Sequence, residues 1–345
     1  MQISDFDYQL PEELIAQHPL TERDASRMLI LDRGTQSWRD SEFKALPDHL
    51  REGDVVVINN TRVFPARLRG KRVPSGGAVE LLLLREVETN VWESLTRPAR
   101  RLQTGAKIDF AESALHAEVI DELANGVRLI KFDLDEPLEN VIDRIGETPL
   151  PPYIDRKAGA SSEDRTRYQT VYAKDRGAIA AATAGLHFTS ALLERLLRRG
   201  VEIVEITLHV GHGTFEPVRV TDVAEHKVAP ERFSITDNAA RTINEARACG
   251  SRIVAIGTTT TRALESAVAP VGEVKAGSGF AHLTIVPGYE FRIVDALLTN
   301  FHLPQSSLLM LVCAFAGREF MLAAYRHAVK ERYRFYSYGD CTLIV

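Results

Sequence analysis

The chain is short of cysteine, of long apolar runs and of nucleotide-binding glycine motifs, and each shortage removes a class of protein. Only Cys249, Cys313 and Cys341 occur in 345 residues, with no CxxC pair and no His cluster at ligand spacing. That argues against a disulfide framework and against a zinc site. The longest apolar run covers residues 308–316, far below the ~20 residues of a spanning helix. The first residues, MQISDFDYQLPEEL, contain no basic apolar signal segment, so a soluble, cytoplasmic protein with no membrane partner is expected. Neither GxGxxG nor the lysine of a P-loop is present. There is no internal repeat and no low-complexity segment.

What is present is an ordinary composition with an uneven charge. The net charge is −5, yet residues 59–110 hold ten Lys and Arg against five Asp and Glu, which leaves −10 for the rest. A protein coating nucleic acid over its whole surface is excluded, whereas a local basic patch is not.

Residues 1–60 alternate between helix patterns (11–17 and near 43–50) and strand patterns (27–31 and 55–58). From residue 62 to about 135, short β-rich runs take over, at 78–84, 91–96, 115–120 and 127–132. Turn signals such as Ser75-Gly76-Gly77 and Asn125-Gly126 divide them. The expected fold class is α/β, a layered α/β main domain with an inserted small antiparallel β-barrel domain. The barrel takes residues 61–147 and the main domain residues 1–60 and 148–345. Leu150-Pro151-Pro152-Tyr153-Ile154 marks the return from the barrel.

The stretch 177–214 reads as strand, helix, strand. A small apolar run leads into Thr183-Ala184-Gly185 and Leu186-His187-Phe188. A helix follows, with Leu192, Leu193, Leu196 and Leu197 on one face, capped by Thr189 or Ser190 and stopped at Gly200. A strand over 201–210 ends in His209-Val210-Gly211-His212-Gly213-Thr214. Beyond it come a helix at 236–248, a strand at 252–256, and Gly257 leading into Thr258-Thr259-Thr260-Thr261-Arg262 at another helix start. Strand candidates at 283–286 and 292–298 precede Thr299-Asn300-Phe301-His302, and helices at 306–315 and 320–333 precede a strand-like end containing Tyr338-Gly339-Asp340.

In open α/β sheets, ligands collect where strands end. His187, His209, His212 and His302 each close an apolar segment, which makes them candidates for acid/base chemistry; the bland reading of each is a structural histidine. Residues 257–262 put hydroxyls and free N–H groups at a helix start, as an anion cradle does and as a plain threonine cap does. Asp340 reads as a turn former as readily as a partner for a cation. Arg62, Arg67, Arg69 and Lys71, with Arg97, Arg100 and Arg101, form a basic group suited to phosphate contacts or simply a solvated face.

Taken together, DFDYQLPEELIAQHP, DASRMLIL, NNTRVFPARL, LPPYI, RYQTVYA, TAGLHFT, LHVGHGTFEPV, GTTTTRALES, PGYEFRIVDALLTNFHLPQSSLLMLVCAFAG and YRFYSYGD cover nearly the whole chain. They resemble the S-adenosylmethionine:tRNA ribosyltransferase-isomerase family of queuosine biosynthesis. Three positions depart from that family's pattern. Ala182 stands where a proline precedes the Thr-Ala-Gly turn; Lys227-Val228-Ala229-Pro230-Glu231 follows His226 in place of Met-His-x-Glu; and Cys341-Thr342 replaces Ala-Met.

The resemblance implies a transferase. The ribosyl moiety of S-adenosylmethionine would pass to 7-aminomethyl-7-deazaguanine at the tRNA wobble position and isomerise to the epoxycyclopentane of epoxyqueuosine, with release of adenine and methionine. It implies S-adenosylmethionine as co-substrate, no permanently bound cofactor, the tRNA anticodon loop as partner, and a monomer without an obligatory protein partner. On this reading the catalytic candidates are His187, His302 and Asp340. Thr183, Gly185, His209, Gly211, Gly213, Thr214, Thr258, Thr259, Arg262 and Asn300 would shape the S-adenosylmethionine pocket, with no metal. Arg62, Arg67, Arg69, Lys71, Arg97, Arg100 and Arg101 would grip the tRNA. Two other readings stay open here, a non-catalytic RNA-binding protein and an S-adenosylmethionine-dependent methyltransferase.

Overall fold

The computed structural model describes residues 1–110, 114–156, 159–211, 213 and 218–345. Among them, nine strands form one mixed sheet in the order Gly277–Ala281, Glu231–Ile235, Glu202–Leu208, Val55–Asn59, Ile253–Ile256, Ala296–Asn300, Cys341–Ile344, Arg27–Asp32 and Ser37–Glu42. The run from Glu202–Leu208 to Ala296–Asn300 is parallel. Cys341–Ile344 lies antiparallel to Ala296–Asn300 and parallel to Arg27–Asp32. The carboxyl ends of four strands therefore share one edge of the sheet with the amino ends of Arg27–Asp32 and Cys341–Ile344.

Both faces of this sheet are covered, which is why its central strands read as unbroken apolar runs. Leu29, Leu31, Val55 and Val57 point into one core, while Met28, Ile30, Val56 and Ile58 point into the other. Each such side chain contributes ~1.5–3 kcal/mol by leaving water. Six antiparallel strands, Arg67–Val73, Ala78–Glu88, Val91–Arg97, Lys107–Asp109, His116–Glu122 and Val127–Asp133, close into a barrel with a core of its own. A small cluster that includes Val63, Leu150, Ile154, Tyr168, Ala181 and Tyr338 joins the barrel's return segment to the sheet edge. Among the described residues, no single helix is long and apolar enough to cross a membrane.

The α/β class and the inserted barrel match the expectation, but several elements differ. At 11–17 there is only a 3-10 turn, Glu12–Leu14, because the chain beyond it pairs with Phe335: the Phe335 N–H donates to the Leu14 carbonyl at 2.7 Å. Phe43–His49 is 3-10 rather than α, with Pro47 lacking an N–H inside it. The first strand of the 177–214 unit is Asp175–Ala178, which leaves the main sheet and pairs with Thr61–Val63.

Residues 283–286 form no strand, and the carbonyl of Leu283 accepts from Arg262 instead. The last parallel strand begins only at Ala296, since the N–H groups of Arg292, Ile293 and Val294 donate to the Glu265 carboxylate at 2.9–3.0 Å. The final strand is Cys341–Ile344, and Tyr338-Gly339-Asp340 is the turn before it. Strands Arg67–Val73 and Lys107–Asp109 and helices Leu138–Ile145 and Ser162–Arg167 were not legible as elements.

Candidate functional site

Segments from distant parts of the sequence meet where the parallel strands end. Ile253–Ile256 passes through Gly257, whose φ of 92° is open to glycine at little cost, into the helix Thr258–Ser266. Thr260 and Thr261 turn their hydroxyls back to the carbonyls of Ile256 and Gly257, so they serve the helix itself. Thr258 and Thr259 instead line a recess of about 40 Å³ together with Thr183, Val210, Asn300 and His302. Tyr336 lines it too, buried and at φ 73°, a conformation that a large side chain adopts only where its surroundings impose it.

The Thr183–His187 turn sits against this recess. Gly185 is required there, because a Cβ at that position would lie 2.0 Å from the Tyr172 hydroxyl oxygen. The turn delivers His187, 5% exposed, beneath Phe43 at a ring distance of 5.1 Å. Its Nδ1 lies 2.7 Å from Ser26 Oγ and its Nε2 lies 3.1 Å from Asn300 Nδ2. His302, 3% exposed, has Nε2 3.1 Å from Thr299 Oγ1, and its backbone carbonyl accepts from the Tyr8 hydroxyl.

Burial pushes both imidazoles down to about 3, with Arg334 and Arg23 adding to the effect at His187. Both rings are thus neutral at pH 7. They can accept a proton or share a hydrogen bond, but neither is a protonated acid in this state.

A second, larger cleft of about 510 Å³ runs between barrel and sheet edge, lined by Thr96, Arg97, Pro151, Arg156, Ile179 and Ala180 among others. Residues 181–184 line the recess. Consecutive residues of one short stretch of chain, the small-residue run before Thr183, thus line first the cleft and then the recess. A cleft of this volume has room for a nucleotide-sized ligand; the recess has room for about one or two atoms of one.

Other expected site residues lie elsewhere. His209 pairs through Nδ1 with Thr61 Oγ1 at 2.9 Å and lines an open polar groove of about 1050 Å³ along the strand Glu202–Leu208. That groove follows a strand's length rather than the strand ends, and none of the recess residues lines it. Just past the strand's end at Leu208, Val210 lines the recess and His209 lines the groove.

Arg262 is a buried strut. It is ion-paired with Glu231 and donates to the carbonyls of Leu283, Ala281 and Ala229, so it is committed inside the fold rather than to the recess. Asp340 accepts the N–H groups of Arg27 and Arg334 at 2.9 and 2.8 Å, clasping the amino end of one strand to the turn before another. Burial raises its pKa against those two bonds. The N–H of Gly211 goes to Glu231 at 3.1 Å, and Gly213 lies against Ala229. His212 and Thr214 lie outside the described residues.

A family model of queuosine biosynthesis proteins matches residues 3–344. The chain belongs to the queuosine biosynthesis protein family. It is similar to a solved S-adenosylmethionine tRNA ribosyltransferase from Thermotoga maritima, at 37% identity over 99% of this chain and 100% of that one, with a TM-score of 0.57. The likeness therefore spans both barrel and sheet in this member of the queuosine biosynthesis family.

Sequence reading missed Ser26, Tyr336 and Ser337, which complete the surroundings of His187 and the recess. Ser26 lies in the DASRMLIL segment and Ser337 in YRFYSYGD, so the signal was the motif and not the residue type. On the barrel, Arg67 is 3.6 Å from Glu80 and Arg69 is 2.8 Å from Glu147, which ties both into a local ion-pair network. Arg62, Lys71, Arg97, Arg100 and Arg101 are exposed and make no ion pair among the described residues.

Proposed function

We propose that this chain transfers and isomerises the ribosyl moiety of S-adenosylmethionine onto 7-aminomethyl-7-deazaguanine at the tRNA wobble position, yielding epoxyqueuosine-tRNA, adenine and methionine. The observation that carries the proposal is the whole-length, 37% identical likeness to an S-adenosylmethionine tRNA ribosyltransferase. The cleft and recess lined by one run of chain support it, since a nucleotide can enter the first while its reacting sugar carbons meet the second.

The chemistry needs few protein groups. The sulfonium acidifies the neighbouring 5′-carbon, so a weak base suffices to take that proton, and a neutral imidazole of His187 or His302 supplies one. The electron pair freed at the 5′-carbon opens the ring by breaking the 4′-carbon–oxygen bond; the freed oxygen becomes an aldehyde at the 1′-carbon as it expels adenine, which takes up a proton. The neutral aminomethyl nitrogen adds to the 4′-carbon and loses a proton, the 5′-carbon closes onto the 1′-aldehyde, and the resulting alkoxide displaces methionine as a neutral thioether to give the epoxide. Thr183, Thr258, Thr259 and Asn300 orient the ligand from the recess wall. Asp340 acts in this reading by holding the turn that carries Tyr336 and Ser337.

The wobble base must leave the anticodon stack to react, and basic residues hold the flanking phosphates. The inserted barrel, residues 61–147, serves as the gripping unit beside a catalytic unit of residues 1–60 and 148–345. Within it Arg62, Lys71, Arg97, Arg100 and Arg101 contact phosphate, and Arg67 and Arg69 brace the surface beneath. The protein works as a soluble cytoplasmic monomer. Incubation with S-adenosylmethionine and tRNA carrying the aminomethyl base tests the whole: free adenine supports transfer, S-adenosylhomocysteine indicates a methyltransferase, and no product leaves only RNA binding.

A further inference from the structure

Several partly buried arginines face carboxylates: Arg67 faces Glu80, Arg156 faces Asp164, Arg176 faces Asp143 and Arg252 faces Asp54. Arg23 and Arg167 do not, and unlike Arg33, Arg72, Arg247 and Arg334, which also lack an ion pair among the described residues, they line one recess together. Neither makes an ion pair among the described residues, and both are anchored by backbone carbonyls alone. Arg23 donates to Leu186 and Thr166 at 3.1 Å each, and Arg167 donates to Thr21 and Leu20. The Nε of Arg167 is buried with no hydrogen-bond partner among the described residues.

The two side chains line one recess on the far side of His187 from Asn300, in company with Ser26 and Tyr338. Tyr338 is 4% exposed, and its hydroxyl also has no hydrogen-bond partner among the described residues. Burial and the charge of Arg167 both lower the pKa of Arg23, so the two guanidinium groups repel each other. A guanidinium stays charged even so. Two cations without an ion pair and a hydroxyl without a hydrogen-bond partner among the described residues, set around one opening, form the complement of an anion.

We propose that this recess is an oxyanion subsite that takes one charged oxygen of a substrate between Arg23, Arg167 and Tyr338. Its volume of about 20 Å³ has room for a single oxygen, so the anion enters end-on. The inference rests on the ribosyl-transfer reading, which offers two sources of such an oxygen: the methionyl carboxylate of S-adenosylmethionine and a phosphate of the tRNA. A bound anion also offsets the positive field of Arg23 on His187, so the imidazole gains basicity only when substrate is in place.

The test is steady-state adenine release by wild type, Tyr338→Phe and Arg23→Gln, varying each substrate with the other saturating. Tyr338→Phe removes only an unpartnered hydroxyl and keeps the fold; melting temperatures report whether Arg23→Gln does. The KM of one substrate rises on the order of tenfold in Tyr338→Phe, the scale of one hydrogen bond to a charged group, and more in folded Arg23→Gln. If the carboxylate is the ligand, the affected substrate is S-adenosylmethionine, and decarboxylated S-adenosylmethionine shows one raised KM shared by wild type and Tyr338→Phe. If a phosphate is the ligand, the affected substrate is tRNA, and the slope of log affinity against log salt falls by about 1 in Arg23→Gln. Both KM values within about twofold of wild type in Tyr338→Phe overturn the subsite, and this variant decides alone if Arg23→Gln does not fold. Absence of adenine release from wild type overturns the reaction reading instead.

Discussion

The Nδ2 of Asn300 lies 3.1 Å from Nε2 of His187, across a ring whose Nδ1 lies 2.7 Å from Ser26 Oγ. With Asn300 donating to Nε2, the ring carries its proton on Nδ1 and donates to Ser26. The Oδ1 of Asn300 is then buried and without a partner among the described residues at the recess, as a group awaiting a ligand donor is. Ser26→Ala leaves the Nδ1–H unpaired, which costs ~1–3 kcal/mol in stability. It also lowers kcat on the order of tenfold, by freeing the tautomer of a group used in proton transfer. Urea denaturation and single-turnover adenine release measure the two effects separately, and an unchanged rate would remove His187 from the chemistry.

Acid should unfold this protein early. His187 and His302 have folded pKa values lowered to about 3, against ~6.5 in the unfolded chain. Above the unfolded value their contribution is fully present; as pH falls from 6.5 toward 3 the unfolded state takes up protons that the folded state refuses. Each ring thus removes ~1.4 kcal/mol per pH unit in that window, about 2.7 for the pair. Urea midpoints between pH 7 and pH 5 check the slope, and His302→Gln should halve it.

Position 182 tests the departure from the family pattern. Ala182 has φ −71° and its N–H makes no hydrogen bond among the described residues, so proline fits its backbone. Ala182→Pro is expected to stabilise by ~0.4–1 kcal/mol through the unfolded chain. A lower melting temperature would show that the turn before Thr183 needs its freedom.

On the barrel, the free and the paired arginines should separate. Arg100→Gln and Arg101→Gln are expected to weaken tRNA binding and to lower the salt slope by about 1 each, with no loss of stability. Arg69→Gln breaks the contacts to Glu147 and should cost no more than ~1 kcal/mol at this exposed site, with less effect on the slope. Filter binding across a salt series distinguishes the two groups.

Arg262→Met takes the buried counter-charge from Glu231, which keeps the Gly211 N–H. The pair is buried on both sides, and removing one partner of such a pair costs ~3–5 kcal/mol. Thermal unfolding measures the loss. A small loss with a large rise in the KM of S-adenosylmethionine would return Arg262 to the ligand site.

Much of the site was legible because parallel strands announce their ends. Thr183, Thr258, Thr259, Asn300 and His302 follow apolar runs directly, and the fold brings all five to one recess. His209 follows the strand end Leu208 as expected but lines the groove, while its neighbour Val210 lines the recess. Ser26 was out of reach, since 161 residues separate it from His187 and only the pairing of Arg27–Asp32 with Cys341–Ile344 brings it there. Arg262 and Asp340 looked like ligand groups by residue type, but burial gave them protein partners first. The strand Arg67–Val73 was hidden by its outward Arg and Lys, which mark a half-buried barrel strand only once its partners are known.

Adenine release from S-adenosylmethionine in the presence of tRNA bearing 7-aminomethyl-7-deazaguanine, by wild type, His187→Ala and His302→Ala, decides both the reaction and its base. Free adenine from wild type, dependent on that tRNA, is expected, with a rate lower by ~10²–10⁴ in whichever folded variant lacks the base. Adenine release at the wild-type rate by both variants, or S-adenosylhomocysteine as the product, would contradict the reading.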